Sequence, residues 1–179
     1  MRDLLFVTGP SCSGKTTLGE AILRDIDLPW VTVHDLDADA PARPTTAWLD
    51  WLRWQAAEQL AEADRDATEG RHGLRVVTGI VWPFRVIESP AWASAVANPQ
   101  LTVRWWLLHP PVKVLLGRLR ERTAGKSRGE RAELVRYNRE LRTGLRHQVD
   151  AVRGGTVHRT TDLTELTRRA QLAARALTL

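Results

Sequence analysis

The stretch "DLLFVTGPSCSGKTT", residues 3–17, decides the fold of this chain. It opens with a short apolar run that is typical of a buried strand and that ends at Gly9. After the glycine loop, Leu18, Ile22 and Ile26 repeat at helical spacing. The sequence therefore predicts a strand, a glycine-rich loop and a helix in immediate succession.

The loop matches the phosphate-binding pattern G-x-x-x-x-G-K-[ST] in full, with Gly9, Gly14, Lys15 and Thr16 at the required positions. In such a loop, backbone N–H groups surround a phosphate, and the dipole of the following helix adds positive potential. We expect Lys15 to reach the β- and γ-phosphate oxygens and Thr16 to offer its hydroxyl oxygen to Mg²⁺. The loop therefore predicts ATP and Mg²⁺ as cofactors, although no residue pattern separates ATP from GTP.

Outward from this unit, apolar β-branched runs alternate with helical patterns along the chain. Alternation of this kind predicts a parallel sheet with helices on both faces, and we expect residues 1–179 to form one three-layer α/β domain. The length of 179 residues and the apolar content of 43% suit a single core. The predicted strands are residues 3–8, 30–33, 74–81, 101–108 and 156–160, and the predicted helices begin near residues 15, 46, 90, 111, 130 and 163.

Composition argues against several other classes of protein. The basic residues behind the net charge of +5 cluster between Arg118 and Arg146 and form no long stripe with interleaved aromatic residues, so a nucleic-acid surface is not favoured. No apolar run reaches the roughly 18 residues that span a bilayer. The single Cys12 excludes an internal disulfide and, without a leader pattern, indicates the cytoplasm. The oligomeric state stays open.

Two acids follow the second predicted strand, in the stretch "HDLDAD". Because Asp35 and Asp37 come at a strand end, we expect them at the carboxyl edge of the sheet, beside the phosphate loop. One can face Mg²⁺ and the other can take a proton from an acceptor hydroxyl, and the spacing leaves open which does which. The third strand reaches Thr78 and Gly79 without a carboxylate, so the acid for Mg²⁺ has to come from elsewhere.

The signatures of several nucleotide-driven machines are absent from the sequence. Neither N-K-x-D nor D-x-x-G, which are typical of GTPases, occurs, and no "LSGGQ"-like stretch of a transporter ATPase is present. The phosphate loop together with the acid pair therefore favours phosphoryl transfer over a motor or a switch.

The chain resembles the small P-loop kinases related to shikimate kinase, gluconate kinase and chloramphenicol phosphotransferase. "GPSCSGKTT" carries most of the resemblance, and "HDLD", "GRLRERT" and "TVHRTTDLTE" extend it over nearly the whole length. The resemblance implies the nucleoside-monophosphate-kinase-like P-loop NTPase fold with a short lid. It also implies that Asp35 helps to hold Mg²⁺ through water and that Asp37 takes the acceptor hydroxyl, although the two could exchange roles.

An arginine-rich stretch, "LLGRLRERTAGKSRGER", is the expected lid, at about residues 123–130. Arg118 and Arg122 share a helix face, and Arg128 lies where glycines interrupt the helical pattern. A mobile segment that brings an arginine to the γ-phosphate would exclude water. By the resemblance, Arg122 lies along the adenine and Arg128 reaches the transferring phosphate. The expected nucleotide contacts are Gly9, Pro10, Ser11, Cys12, Ser13, Gly14, Lys15, Thr16, Thr17, Arg118 and Arg122.

The acceptor is expected to bind at about residues 38–70, between the second and third strands. In "TTAWLDWLRWQAAEQL", Trp48, Trp51 and Trp54 recur every three residues, a stripe that is core or the wall of an acceptor pocket. After the third strand, Arg85 could pair with an anionic group of the acceptor. We therefore predict Asp37, Trp51, Trp54 and Arg85 as the acceptor contacts.

The leading hypothesis is an ATP-dependent kinase that phosphorylates a hydroxyl of a small molecule, either a metabolite, a nucleoside or an antibiotic. Its catalytic residues would be Asp37, Lys15, Arg128 and Asp35. Two alternatives remain open at this stage: a nucleoside monophosphate kinase, and a nucleotide-dependent binding or regulatory module that is not a kinase.

Overall fold

A five-stranded parallel sheet forms the centre of the computed structural model, which describes residues 1–38, 46–159 and 162–175. The strand order is β2-β3-β1-β4-β5, so the first strand occupies the middle. In chain order the elements are β1 (Arg2–Thr8), α1 (Lys15–Asp25), β2 (Val31–Asp35), α2 (Thr46–Thr68), β3 (Gly73–Thr78), α3 (Pro83–Ile87), α4 (Pro90–Ala97), β4 (Leu101–Leu108), α5 (Val112–Arg122), α6 (Arg128–Ala151), β5 (Gly155–His158) and α7 (Leu163–Arg175). The three-layer α/β fold predicted from the sequence is confirmed.

The two faces of the sheet carry separate apolar cores. Along β1, Leu4 and Phe6 belong to one core and Leu5 and Val7 to the other, because side chains of a strand alternate between its faces. The first core packs against α2, α3, α4 and α6, and the second against α1 and α7. The Phe6 ring stacks on Trp105 of β4 with ring centroids 4.5 Å apart. Burial on both faces explains why these strands read as nearly continuous apolar runs.

Most predicted elements are confirmed, with three main differences. Strand β3 ends at Thr78, three residues before the predicted end at Val81. The sequence did not predict α3, a five-residue helix that Pro83 opens. Helix α6 begins at Arg128, earlier than predicted, because Ser127 caps it: the Glu130 N–H donates to the Ser127 hydroxyl, and the Glu130 carboxylate accepts from the Ser127 N–H. The non-helical connection between α5 and α6 is therefore confined to residues 123–127.

The carboxyl edge of the sheet is held together by bonds between loops. The Leu36 N–H donates to the Thr78 carbonyl oxygen at 2.8 Å, which ties the turn after β2 to the end of β3. The Val81 N–H donates to the Thr8 hydroxyl at 3.0 Å, which ties the loop after β3 to the end of β1. These bonds fix the positions of the loops that form the candidate site. Among the helices in the described ranges, none is long and apolar enough to cross a membrane.

Candidate active site

The phosphate loop joins the end of β1 to the first turn of α1. Two of its residues adopt backbone angles that L-residues rarely populate: Cys12 has φ 65° and Gly14 has φ 101°. Gly9 has no room for a side chain, because a Cβ there would lie 2.6 Å from the Ser13 Oγ and 2.7 Å from the Leu108 carbonyl oxygen. Gly14 is therefore required by its backbone conformation, and Gly9 is required by the close approach of neighbouring atoms.

Lys15 lies at the base of this loop, as the first residue of α1. Its side chain is 6% exposed, and its Nζ donates to the Pro10 carbonyl oxygen at 3.3 Å. The Gly14 carbonyl oxygen accepts from the Leu18 N–H at 2.9 Å, so the helix begins directly behind the loop. A positive charge and the amino end of an eleven-residue helix thus converge at one point.

A cavity of about 540 Å³ opens over the loop at the carboxyl edge of the sheet. It brings together the loop, the acids after β2 and the arginines of α5, which are far apart in the sequence. Its lining residues are Ser11, Cys12, Ser13, Gly14, Lys15, Thr16, Thr17, Asp35, Asp37, Ala38, Leu108, Arg118, Arg122, Leu163 and Leu166. Gly9 and Pro10 belong to the same loop but do not line the cavity.

Asp35 is the last residue of β2, and Asp37 lies in the turn that follows it. The Asp35 Oδ1 accepts from the Asp37 N–H at 3.0 Å, and the Asp35 carbonyl oxygen accepts from the Ala38 N–H at 3.2 Å. Both acids are half-buried. The bond to the Asp37 N–H orients the Asp35 carboxylate, a geometry that Asp favours in turns. The structure therefore brings both predicted acids to the phosphate loop, as the strand-end position implied.

The residues around the loop can hold Mg²⁺ by the chemistry of their donors. No group of three or more histidine, cysteine or acidic side chains that could hold a metal ion occurs in the described ranges. Mg²⁺ bound with a nucleotide does not need one, because it takes one or two carboxylates, a hydroxyl, phosphate oxygens and water. Thr16, Asp35 and Asp37 line the one cavity and supply this donor set.

The three predicted arginines lie in two different positions. Arg118 and Arg122 of α5 line the cavity, and the Arg118 Nη1 donates to the Cys12 carbonyl oxygen at 3.4 Å. Arg128 is exposed, is the first residue of α6, and lines neither this cavity nor the one described next. The expected lid segment, residues 123–130, therefore comprises the short connection and the first turn of α6.

A second cavity, of about 510 Å³, lies on the other face of the sheet, between α2, α3 and α6. It has an apolar floor with two arginines, an acid, an amide and a phenol at its sides. Its lining residues are Leu49, Asp50, Leu52, Arg53, Ala56, Ile80, Val81, Trp82, Arg85, Val86, Tyr137 and Gln148. Three of these residues, Ile80, Val81 and Trp82, come from the loop after β3. This loop starts at the carboxyl edge of the sheet, where Thr78 at the end of β3 pairs with Asp35 at the end of β2.

Of the predicted acceptor contacts, Arg85 lines this second cavity, but Trp51 and Trp54 do not. Trp48 is 2% exposed, Trp51 is half-buried against the core, and Trp54 is 55% exposed. A three-residue repeat in a helix turns by about 60° at each step, because 3.6 residues make a turn. The three tryptophans therefore pass from the core to the surface and do not form one wall.

Sequence reasoning missed several residues of this second cavity. Leu49, Leu52, Arg53 and Ala56 recur at the spacing i, i+3, i+4, i+7, so this face of α2 was detectable from its helical period. Tyr137 has no such signal, because it reaches the cavity from α6, more than 80 residues further along the chain.

Comparisons with known proteins agree with this architecture. No family model matches the chain. A protein of Archaeoglobus fulgidus described as "Probable adenylyl-sulfate kinase" is 30% identical over 88 residues, which are 48% of this chain and 56% of that protein. The match therefore spans little more than half of that relative's length.

Solved structures of three proteins superpose over nearly the whole chain. A tunicamycin resistance protein of Deinococcus radiodurans superposes with a TM-score of 0.58 and 18% identity over 97% of both chains. A gluconokinase of Sinorhizobium meliloti 1021 superposes with a TM-score of 0.59 and 19% identity, over 99% of this chain and 96% of that one. A shikimate kinase of Acinetobacter baumannii superposes with a TM-score of 0.56 and 18% identity, over 97% of this chain and 93% of that one. At this level of identity the likeness shows the fold. The chain has the fold of the small P-loop kinases, and the resemblance found in the sequence is confirmed at that level.

Proposed function

We propose that this chain is an ATP- and Mg²⁺-dependent kinase that transfers the γ-phosphate to a hydroxyl group of a small molecule. The observation that carries the proposal is the shared cavity: a complete phosphate loop and two carboxylates, Asp35 and Asp37, line the same space. Phosphoryl transfer asks little covalent chemistry of a protein beyond positioning, charge neutralisation and one group that orients the acceptor. The cavity contains residues for each of these tasks.

Lys15 and the loop N–H groups would hold the β- and γ-phosphates. Mg²⁺, held by Thr16 and one of the acids, would supply positive charge between those phosphate oxygens. Asp35 is the better candidate for that acid, since the Asp37 N–H already orients its carboxylate. Asp37, which lines the same cavity, would then accept the proton of the acceptor hydroxyl.

The arginines would act on the nucleotide from α5 and α6. Arg118 and Arg122 line the cavity and would contact the nucleotide there. Arg128 would reach the transferring phosphate only through movement of the segment 123–130, which would also exclude water from the reaction. ATP is available in the cytoplasm, where the single cysteine would also stay reduced.

The cavity between α2, α3 and α6 is the proposed acceptor site. Its combination of an apolar floor with Arg53 and Arg85 would suit a hydroxylated molecule that carries an anionic group. Three of the similar proteins are named as kinases of gluconate, shikimate and adenylyl sulfate, and all three of these compounds are anions. We therefore propose an anionic acceptor before a neutral one.

The deciding experiment measures ATP consumption with Mg²⁺ across a panel of acceptors, with mass detection of an added phosphate. The panel contains sugar acids, shikimate, adenylyl sulfate, nucleosides, nucleoside monophosphates and hydroxylated antibiotics. Gain of one phosphate on a hydroxyl supports the proposal. Conversion of monophosphates alone to diphosphates would establish a nucleoside monophosphate kinase, and slow hydrolysis without any phosphorylated acceptor would favour a binding module.

The Asp37→Asn substitution tests the role of the acid on the acceptor found in this way. We expect kcat to fall by about 10²–10⁴-fold while ATP affinity changes little, because general base catalysis contributes about that factor. Asp27→Asn is the matched control, since Asp27 is exposed and lines neither cavity. An unchanged kcat in Asp37→Asn would remove Asp37 as the base and direct the same test to Asp35.

A further inference from the structure

A third group of polar side chains lies at the carboxyl edge, outside both cavities described so far. His109 follows β4, directly after Leu108. Leu108 lines the cavity of about 540 Å³ over the phosphate loop, which we call the nucleotide cavity. His109, Arg142 and Arg146 line two depressions of about 280 Å³ and 350 Å³. Pro111 and Arg159 complete the first depression, and Thr143, His147 and Asp150 complete the second.

The hydrogen bonds of His109 leave donors without acceptors. The Arg142 Nη2 donates to the His109 Nδ1 at 3.0 Å. Because a guanidinium cannot accept, Nδ1 is the acceptor, and the proton of the neutral imidazole is on Nε2. His109 is 3% exposed, and its Nε2 has no hydrogen-bond partner among the described residues; the same is true of the Arg142 Nε. Both atoms are donors, so this group lacks an acceptor.

The residues that line the two depressions carry more positive than negative charge, which also favours an anion. Arg142, Arg146 and Arg159 bring three guanidinium groups together, and Asp150 is the one acid among the residues that line the depressions. Asp150 pairs with the Arg146 Nε at 3.3 Å, whereas Arg159 forms no salt bridge within the described ranges. Burial, followed by the charges of Arg142, Arg146 and Arg159, lowers the pKa of His109 to about 4, so the imidazole is neutral at pH 7.

We propose that Arg142, Arg146 and Arg159 bind a phosphate group beside the nucleotide cavity. Arg146 and Arg159 are exposed and can present their guanidinium forks to tetrahedral oxygens, which accept and never donate when fully ionised. The unpaired N–H groups of His109 and Arg142 place positive potential beneath them. This site shares no lining residue with the nucleotide cavity and does not depend on the proposed kinase activity.

The test measures the Kd of inorganic phosphate by calorimetry on the whole chain with saturating ADP, so that the phosphate loop is occupied. The wild type is compared with Arg159→Gln and Arg146→Gln. We expect each variant to weaken phosphate binding by about tenfold, the usual effect of losing a charge-assisted hydrogen bond to an anion. Arg153→Gln is the matched control: Arg153 is exposed, lies just after α6 and lines neither depression, and its removal should leave the Kd within about twofold.

A parallel titration with glycerol 3-phosphate distinguishes the two sources of the phosphate group. Tighter binding of inorganic phosphate identifies the free anion as the ligand, and tighter binding of glycerol 3-phosphate identifies a phosphomonoester. The proposal fails if the ADP-saturated wild type binds neither compound, or if Arg159→Gln and Arg146→Gln behave like Arg153→Gln. A chain without kinase activity can still pass this test, so the two proposals stand or fall separately.

Discussion

The two edges of the sheet use arginine in opposite ways. At the amino edge, Arg2 of β1 and Arg75 of β3 are buried, and Asp66 of α2 accepts from both, at 2.9 Å and 3.2 Å. Arg75 also pairs with Glu62, and Arg71 completes the network on the other oxygen of Asp66. Each buried positive charge at this edge therefore faces a carboxylate.

At the carboxyl edge, four arginines have no carboxylate partner of this kind among the described residues. Arg118, Arg122, Arg142 and Arg159 form no salt bridge within the described part of the chain. Unmatched positive charge at the mouth of a cavity raises the local concentration of anions and is available to a ligand. Arginine at the amino edge is thus paired with carboxylates inside the protein, whereas the two proposals assign the arginines without salt bridges at the opposite edge to phosphate groups. The following substitutions test this division, beginning with the largest expected effect.

Asp66→Asn should reduce the free energy of unfolding by about 3–5 kcal/mol, because it leaves Arg2 and Arg75 buried without their shared counter-charge. Burial acts to raise the pKa of Asp66, but the hydrogen bond from Arg71 and the charges of Arg2 and Arg75 outweigh it and lower the pKa. Urea unfolding measures the loss. Glu69→Gln removes an exposed partner of Arg71 and should change stability by less than about 1 kcal/mol. Equal losses in the two variants would contradict a stabilising network.

Lys15→Met should produce the opposite phenotype, with loss of activity and little loss of stability. We expect phosphoryl transfer to fall by about 10²–10³-fold, as for removal of a group that stabilises developing charge in a transition state. Turnover and the melting temperature are measured on the same samples. The control is Lys113→Met on α5, an exposed lysine outside both cavities. A large fall in melting temperature in Lys15→Met alone would show that the carboxyl edge also carries the fold.

His158 adds a pH-dependent element to the carboxyl edge. It ends β5, is 4% exposed, and lies against Trp106 with ring centroids 4.7 Å apart. Burial, then the charge of Arg169, lowers its pKa to about 4, below the value of 6.5 in an unfolded chain. The unfolded state therefore takes up the proton first, and stability should decrease as pH falls from about 6.5 towards 4.

This shift corresponds to about 3 kcal/mol, and His109 should contribute a similar decrease. His158→Phe should therefore reduce the decrease in unfolding free energy between pH 7 and pH 4.5, and part of the decrease should persist because burial also lowers the pKa values of His109 and His34. Unfolding curves at several pH values measure it. An unchanged slope in the variant would show that His158 is not the group that titrates.

Gly144→Ala should have the smallest effect of these substitutions, and it should act on acceptor binding at the proposed acceptor site. A Cβ at residue 144 of α6 would lie 2.9 Å from the Trp82 Cζ3, so the indole that lines the acceptor cavity has to move. We expect the KM for the acceptor to rise by about threefold to tenfold, in line with a loss of about 1 kcal/mol, while the KM for ATP stays constant. Gly117→Ala in helix α5 meets no atom within 4 Å, lines neither cavity and is the control. Equal KM values in both variants would argue against an acceptor at Trp82.

The predictions from sequence succeeded where the signal is local. The phosphate loop, β1 and α1 form one continuous stretch, and each residue type there has a backbone or charge requirement that sequence reasoning can recognise. A local signal of the same kind lies at the start of α7, where the Asp162 Oδ1 accepts from the Thr164 and Glu165 N–H groups. Asp35 and Asp37 were placed correctly because parallel strands bring their carboxyl ends to a common edge.

The predictions were weakest where several elements meet. The tryptophan repeat of α2 indicated a wall for the acceptor, but the rotation of the helix carries Trp54 to the surface. The helical period of α2 marks a face through Leu49, Leu52 and Ala56, but only the packing of the helices decides that this face meets α3 and α6. The arginine group around His109 was equally hidden, since β4, α6 and the end of β5 each contribute to it.

The sequence by itself determined the alternation of strands and helices, the phosphate loop and the position of two acids at a strand end, because hydrophobic period and loop chemistry act over a few residues. Only the tertiary structure decided which arginines are paired with carboxylates and which remain available, because a salt bridge depends on the distance between elements that are remote in the chain. Asp66 lies nine residues before Arg75 and 64 residues after Arg2, and it forms salt bridges with both. Arg159 instead lies beside Arg142 and Arg146 of α6, which are also positively charged.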